Sequence, residues 1–312
     1  MSDEPRSTFS RLGLVLLGAL ALGWGINWPI MKITLWDVPP LTFRGVALAA
    51  GGAGVLLLAR LGGHRLTVER RHWGQVFRLS VFNVIGWNLL VIYGVALVPA
   101  GRSALIAYTM PVWSMLLSVW LLNERLTARR IAALALGMGG VVTLLGAEVA
   151  ALGGSPLGVA LLLGAAFSWA LGIVLLKRYA VPIPTVSLTG WLMFIGSLPF
   201  LVAAVALEHG QWRPIGPWPA FGVLYNIFVG FMFCYWAWNR IVLMVPVAVA
   251  SLSSLITPLI GVAAGVVLLE EALTWREGLA GLLILGAIAL VIRAPAAPPV
   301  PAARAGAATF ER

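Results

Sequence analysis

Asn27, Asn83, Asn88 and Asn226 each stand inside a long apolar run, with tryptophan or tyrosine close by. The first run holds Trp24, Asn27 and Trp28. The third holds Asn83, Trp87, Asn88 and Tyr93, and Asn83 and Trp87, four apart, share a helical face. Tyr108, Thr109, Trp113 and Ser114 lie in the fourth run, Ser168 and Trp169 in the sixth and Trp191 in the seventh. Tyr225, Asn226, Tyr235 and Trp236 lie in the eighth, and Ser251, Ser253, Ser254 and Thr257 in the ninth. Amides and hydroxyls among aromatic rings make a mostly apolar pocket with a few orienting hydrogen bonds, the usual character of a small-molecule site. The candidate substrate-binding residues are Trp24, Asn27, Asn83, Trp87, Asn88, Arg102, Tyr108, Trp169, Trp191, Tyr225, Asn226 and Thr257.

The same residue types also hold helices together. Serine and threonine in helices often bond the carbonyl one turn back or pack between helices. Asparagine can bridge two helices or meet a substrate. Tryptophan also forms interfacial belts. That placement suits Trp36, Trp73, Trp212, Trp218 and Trp275 better than the deeper Trp24, Trp87, Trp113, Trp169 and Trp191. Arg102 can meet a substrate carboxylate or set topology. Lys32 and Lys177 end their runs and can snorkel to headgroups. Pro111 and Pro258 each remove a helix hydrogen bond, as paired hinges or as static kinks.

Only 10% of the 312 residues are charged and 61% are hydrophobic, with a mean hydropathy of +0.97. A soluble domain carries roughly 25% charged residues, so this chain cannot cover a water-facing surface. Its charges bound ten apolar intervals, and a spanning helix needs about 20 residues. Helices are expected near 11–33, 41–61, 75–97, 100–122, 128–147, 156–178, 185–207, 217–240, 246–270 and 275–293. The runs are apolar all round, unlike the alternation of a spanning barrel. The expected fold class is an all-α membrane protein with ten transmembrane helices in the lipid bilayer. The first run continues through Trp24-Gly25-Ile26-Asn27-Trp28 with no small-residue cleavage pattern, so it reads as a span and not as a cleaved signal.

With the N-terminus in the cytoplasm, Lys and Arg crowd the cytoplasmic loops and both termini fall there. The net charge of +10 therefore reads as orientation in a bacterial inner membrane, with no nucleic-acid partner. Residues 1–10 form a cytoplasmic N-terminus. Residues 294–312, rich in Ala and Pro, form a disordered cytoplasmic tail.

Several chemistries lack their residues. The apolar intervals hold no Asp or Glu, which disfavours a carboxylate that exchanges proton for a cationic drug. No Gly-Lys-Ser/Thr follows a glycine-rich turn, so no ATP-binding loop is expected. The single cysteine, Cys234, and the loop histidines His64, His72 and His209 suggest no metal or other cofactor. No nucleophile and base meet as an intramembrane enzyme would need, and no ring of charge marks a channel.

The chain also repeats itself. Leu122–Arg129 reads LNERLTAR and Leu269–Arg276 reads LEEALTWR, at an offset of 147. At that offset Pro111 meets Pro258, Glu124 meets Glu271 and Gly139 meets Gly286. At an offset of 145 Trp24 meets Trp169 and Lys32 meets Lys177. Residues 11–147 and 156–293 therefore read as two five-helix units. Five is odd, so the second unit enters the membrane from the other side, as in many secondary transporters. The repeated phrase ends one helix and starts the next. Thr127 and Thr274 can cap, and Glu124 and Glu271 can pair with Arg129 or Arg276 or accept from freed backbone N–H groups. Gly137, Gly139, Gly140, Gly261 and Gly265 allow close helix packing.

The pattern Pro111…Glu124-Arg125-Leu126-Thr127…Gly139, repeated as Pro258…Glu271-Ala272-Leu273-Thr274…Gly286, resembles the EamA-type members of the drug/metabolite transporter superfamily. The resemblance covers about 11–293, and in general character extends to the aromatic amino-acid exporter branch. It implies a carrier with a central cavity lined mainly by helices one, three, four, six, eight and nine. The expected function is export of small neutral or zwitterionic metabolites, amino acids first, by alternating access and without a required coupling ion. A proton-coupled exporter of drugs or other metabolites is the alternative. The oligomeric state stays open, with a monomer sufficient.

Overall fold

A computed structural model describes residues 11–97, 103, 106–145, 156–257, 259–260, 263–264 and 275–292, and no strand occurs among them. Arg102, Pro258, Gly261, Gly265, Glu271 and Thr274 lie outside the described residues. Six spans are long and apolar enough to cross a bilayer: Arg11–Met31, Pro40–Leu61, Arg70–Val95, Pro156–Tyr179, Thr185–Gln211 and Pro217–Met244. Met110–Leu122 and Gly278–Ala287 are shorter apolar helices.

In chain order the helices of the first half are α1 (Arg11–Thr34), α2 (Pro40–Leu61), α3 (Trp73–Ser80), α4 (Trp87–Leu97), α5 (Met110–Leu122) and α6 (Ala128–Leu145). Those of the second are α7 (Pro156–Tyr179), α8 (Thr185–Glu208), α9 (Pro217–Tyr225), α10 (Cys234–Met244), α11 (Val247–Ser253) and α12 (Trp275–Ile292). A π-helical segment, Val81–Gly86, joins α3 to α4, and another, Asn226–Phe233, joins α9 to α10. The two segments start at matched places, 145 residues apart.

Helices pair across the halves. α2 lies along α8, and α6 along α12; α4 packs on α7, α1 on α9 and α10, and α5 on α11. Lipid tails are as apolar as leucine, so helix association in a bilayer rests on close backbone approach at small residues. A Cβ added at Gly45 would stand 3.0 Å from the Leu201 backbone nitrogen, and one at Gly190 3.1 Å from that of Leu56. Gly190 is the counterpart of Gly45 and Leu201 that of Leu56, so the two contacts are reciprocal. At the other pair of helices, a Cβ at Gly140 would meet Ile284 at 2.7 Å, and one at Gly137 would meet Ala287 at 3.5 Å. These contacts are reciprocal at the offset of 147. Gly139 differs from the expectation. Its added Cβ would meet only Leu283 Cδ1 of α12, at 4.0 Å, which is ordinary contact and no close approach.

Reciprocal contacts between counterparts are the mark of a two-fold axis. Gly45 meets Leu201 and Leu56 meets Gly190, so α2 and α8 run antiparallel. Leucines on the outer faces, such as Leu57, Leu58 and Leu207, are exposed, as a lipid-facing surface requires.

The fourth apolar run does not form one helix over 100–122. Residues Tyr108 and Thr109 form a turn, and α5 begins at Met110 with Pro111 in its first turn. Proline lacks the N–H that would bond the carbonyl of residue 107. The backbone tightens instead, with Thr109 N donating to Ile106 O at 3.1 Å and Val112 N to Thr109 O at 3.0 Å. The ninth run also breaks, at Ser254 and Leu255, where Thr257 N donates to Ser254 O at 3.0 Å.

Each end of the bundle is tied by a carboxylate. At one end Glu208 accepts from the first amides of α2, Leu41 N at 2.9 Å and Thr42 N at 2.7 Å. A carboxylate there satisfies orphan donors and complements the helix dipole. Beside it Asp37 accepts from Gly216 N, which opens α9, at 3.0 Å and pairs with Arg213 at 3.0 Å. At the opposite end α5 stops at Asn123, whose left-handed φ of 54° turns the chain. Glu124 then points back into the bundle, and Thr127 Oγ1 caps α6 by accepting from Arg130 N at 3.3 Å.

Candidate functional site

A cavity of about 620 Å³, counted out to its mouth, lies between α1, α2, α4, α7 and the second π segment. Its core sits on the two-fold axis. Trp24 and Trp169, counterparts in the two halves, meet edge to face with ring centroids 5.7 Å apart. Asn88 and Tyr235, counterparts at the offset of 147, meet as well; Asn88 Nδ2 donates to Tyr235 Oη at 3.0 Å. Tyr235 in turn packs edge-on against Trp169 at 5.5 Å, and Trp87 packs on Trp169 at 5.1 Å. Wholly buried Trp238 underlies this cluster, 5.8 Å from Trp24 and 6.0 Å from Trp169.

Both π segments are held by a side chain from the other half. A π turn displaces carbonyls from the regular ladder, and such turns are frequent at functional sites. Trp24 Nε1 donates to Gly230 O of the second segment at 3.1 Å. Ser168 Oγ donates to Phe82 O of the first at 2.8 Å. The partner helices come close enough only because glycine faces the segment. An added Cβ at Gly172 would lie 2.8 Å from Asn83 Cα, and one at Gly23 would lie 3.1 Å from Val229 Cγ1.

Of the candidates read from the sequence, Trp24, Asn27, Trp87, Asn88, Tyr108, Trp169 and Asn226 line this cavity. The rest of the described candidates do not. Asn83 is fully buried in the first π segment, against Gly172. Tyr225 Oη donates to Gly23 O at 2.9 Å and joins α9 to α1. Thr257 is buried beyond the cavity wall. Trp191 is a correction to the deep placement expected. Its indole donates to Leu66 O at 2.9 Å and packs edge to face on Trp73 at 5.2 Å, close to the loop after α2.

Lys177 is also corrected. It does not reach out to headgroups. Its Nζ donates to Val245 O at 2.8 Å and lies 3.4 Å from Glu124 Oε1. Glu124 also accepts from Val247 N at 3.1 Å and lies 3.8 Å from Arg130. The side chain of Lys32 is not described.

Arg44 is the residue that sequence reasoning missed. It bounds a charge-free interval, so it reads as a helix-end group that snorkels. The structure buries it, 4% exposed, in the cavity wall. Its Nη2 reaches Met31 Sδ at 2.8 Å, and its guanidinium lies over the rings of Phe43 at 5.1 Å and Phe231 at 5.8 Å. A usable signal existed in the neighbour Phe43, since arginine stacks on aromatic faces. Among the described residues no cluster of three or more His, Cys, Asp or Glu could hold a metal.

The two halves seen in the structure coincide with two matches to one family model, the EamA-like transporter family, over residues 11–146 and 156–293. The chain belongs to the EamA-like transporter family. It is thus a multi-pass membrane transporter with two repeated halves. The chain is 28% identical to a "Probable amino-acid metabolite efflux pump" of Salmonella typhimurium, across 85% of this chain and 89% of the other. It is 27% identical to the "Aromatic amino acid exporter YddG" of Ancylobacter novellus, across 73% of this chain and 79% of the other. A crystal structure with 22% sequence identity superposes with a TM-score of 0.77, covering 90% of this chain and 97% of that one. For this EamA-like transporter the likeness fixes the fold, and the chemistry of the cavity must speak for the cargo.

Proposed function

We propose that the protein is a secondary transporter that exports small neutral or zwitterionic metabolites, most of all amino acids with aromatic side chains, by alternating access. The observation that carries this reading is the aromatic and amide cavity centred on the axis between the halves, where counterparts Trp24 and Trp169 touch. A site on that axis can be offered to either face when the halves exchange conformations. Aromatic walls with a few amides suit a flat apolar side chain carrying polar groups at one end. The names of the efflux pump and exporter relatives support the same cargo.

The architecture that goes with this function is ten transmembrane helices in two inverted five-helix units, 11–147 and 156–293. Both termini lie in the cytoplasm of a bacterial cell, on the face that holds Glu124 and Lys177. Segments 1–10 and 294–312 lie outside the repeats, and one protomer suffices. Pro111 and Pro258 are the paired hinges, and Arg102 is a further candidate contact for the substrate. The apolar intervals of the sequence hold no Asp or Glu to carry a proton, which favours transport without a coupling ion.

Uptake of labelled phenylalanine, tryptophan and threonine into proteoliposomes, without and with a proton gradient, tests this. Saturable uptake and counterflow without a gradient are expected. Uptake that appears only with the gradient would move the protein to the proton-coupled class. Flux that does not saturate and shows no counterflow would indicate a channel.

A further inference from the structure

Arg44 poses a problem that the fold does not solve internally. The residue is 4% exposed within an apolar span, and among the described residues no carboxylate pairs with it. Its contacts are a thioether sulfur and two ring faces, and its Nε has no hydrogen-bond partner. A buried charge without a counter-charge is costly, and intramembrane arginine generally faces a partner or a water-filled cavity. Here the cavity is what it faces. Two further groups on the same wall are incomplete. Asn27 Oδ1 and Asn226 Oδ1 are buried acceptors with no donor. An added Cβ at Gly230 would lie 3.3 Å from Asn226 Oδ1 and 3.8 Å from Asn27 Nδ2, so the two amide groups meet at one point of the wall.

We propose that Arg44 binds the carboxylate of the transported molecule, and that Asn27 and Asn226 accept from its ammonium group. The inference rests on the transport reading above and narrows it to α-amino acids. Guanidinium and carboxylate match as a two-pronged pair, which fixes orientation as well as charge. An unpaired amide oxygen accepts from an ammonium without adding charge. The side chain of the cargo then lies toward Trp24, Trp87 and Trp169, which line the same cavity. Cavity and ligand complete each other's hydrogen bonds, and a ligand that lacks the carboxylate leaves Arg44 unpaired.

The test is equilibrium binding to the purified full chain in detergent, with phenylalanine, 3-phenylpropionate, phenethylamine and phenylalaninamide as competing probes and inorganic phosphate as a further competitor. Phenylalanine should bind best, and 3-phenylpropionate should retain binding. The two ligands without a carboxylate should be weaker by about 30-fold or more, the scale of an unpaired buried charge. Arg44→Gln should remove that preference, and Arg44→Lys should keep part of it. Equal binding of phenylalanine and phenethylamine to the unaltered protein overturns the proposal without needing a variant to fold. So does competition by phosphate as strong as that by phenylalanine, or an Arg44→Gln protein that still prefers carboxylates. Failure of every carboxylate to bind, with transport of uncharged metabolites intact, overturns the role of Arg44 and leaves the carrier reading standing.

Discussion

Lys177 Nζ of the second half lies 3.4 Å from Glu124 Oε1 of the first, and the pair closes one end of the bundle. Each side chain also reaches the short link between α10 and α11, Lys177 to Val245 O and Glu124 to Val247 N. Three segments from the two halves are therefore tied at one point. Glu124 is 10% exposed and Lys177 30%, so water screens the pair only in part. Loss of a charged hydrogen bond at such a site costs about 1.5–3 kcal/mol. Glu124→Gln and Lys177→Gln should each lower the unfolding temperature in detergent, and the double variant should lose less than the sum. The charge swap Glu124→Lys with Lys177→Glu should not rescue, because Arg130, 3.8 Å from Glu124, would then face a lysine. Full rescue by the swap would show that Arg130 plays no part.

The reciprocal glycines predict a second stability effect. A methyl at Gly45 or Gly190 would meet the leucine opposite, Leu201 or Leu56; that side chain can turn, but its backbone nitrogen, 3.0 or 3.1 Å away, cannot, so α2 and α8 must part. Overpacking of this kind costs about 1–3 kcal/mol. Gly45→Ala and Gly190→Ala should both destabilise the protein. The two together should fall short of additivity, since either one already parts the same helices. Gly139→Ala, with open space around it, should be neutral or slightly stabilising through helix propensity. Thermal scans of the four proteins decide the matter; equal loss at all sites would mean the close approach is incidental.

The sequence made the helices and the repeat legible because both are one-dimensional signals. Apolar runs mark spans, and fixed offsets mark counterparts. It could not say which counterparts touch, because that depends on where the two-fold axis passes. Trp24 and Trp169 lie on it, whereas Asn83, equally polar and equally deep, is turned into a helix contact by the glycine opposite, Gly172. Arg44 and Lys177 look alike in sequence, as charges at the ends of apolar runs. One faces the cavity and the other meets Glu124 only because α2 and α7 present those faces inward. The break before Pro111 was legible as a missing donor, but its position in the first turn of α5 was not.

That break bears on mechanism. Tyr108 and Met110 flank it and line the cavity, so motion at the turn would move the wall. Pro111→Ala restores a donor for the carbonyl of residue 107 and allows a continuous helix. The expected outcome is a transport rate reduced several-fold with binding affinity nearly unchanged, the signature of a hinge. A matched loss of affinity and rate would instead mean that proline sets the static shape of the cavity.

The proposed inversion of the two halves predicts opposite signs at opposite ends. The sequence counterparts of Lys177 and Glu124 are Lys32 and Glu271. If the same tie forms at either end in turn, loss of one tie favours the state that opens that end. The cavity described here lies in the part of the bundle nearer the end tied by Glu208 and Asp37, since Met31 and Arg44 line it. A single cysteine at Val91, in the cavity wall, placed in a Cys234→Ala background, reports access from that side. Lys177→Gln should weaken the closed Glu124 end and slow thiol labelling from the Lys32 side. Lys32→Gln should speed it, by destabilising the opposite closed state. A shift of a few kilocalories is not required, because a change of about 1.4 kcal/mol alters the two populations tenfold. Changes of the same sign in both variants would contradict an exchange of conformations between the halves, and would leave Glu124 and Lys177 as a structural tie alone.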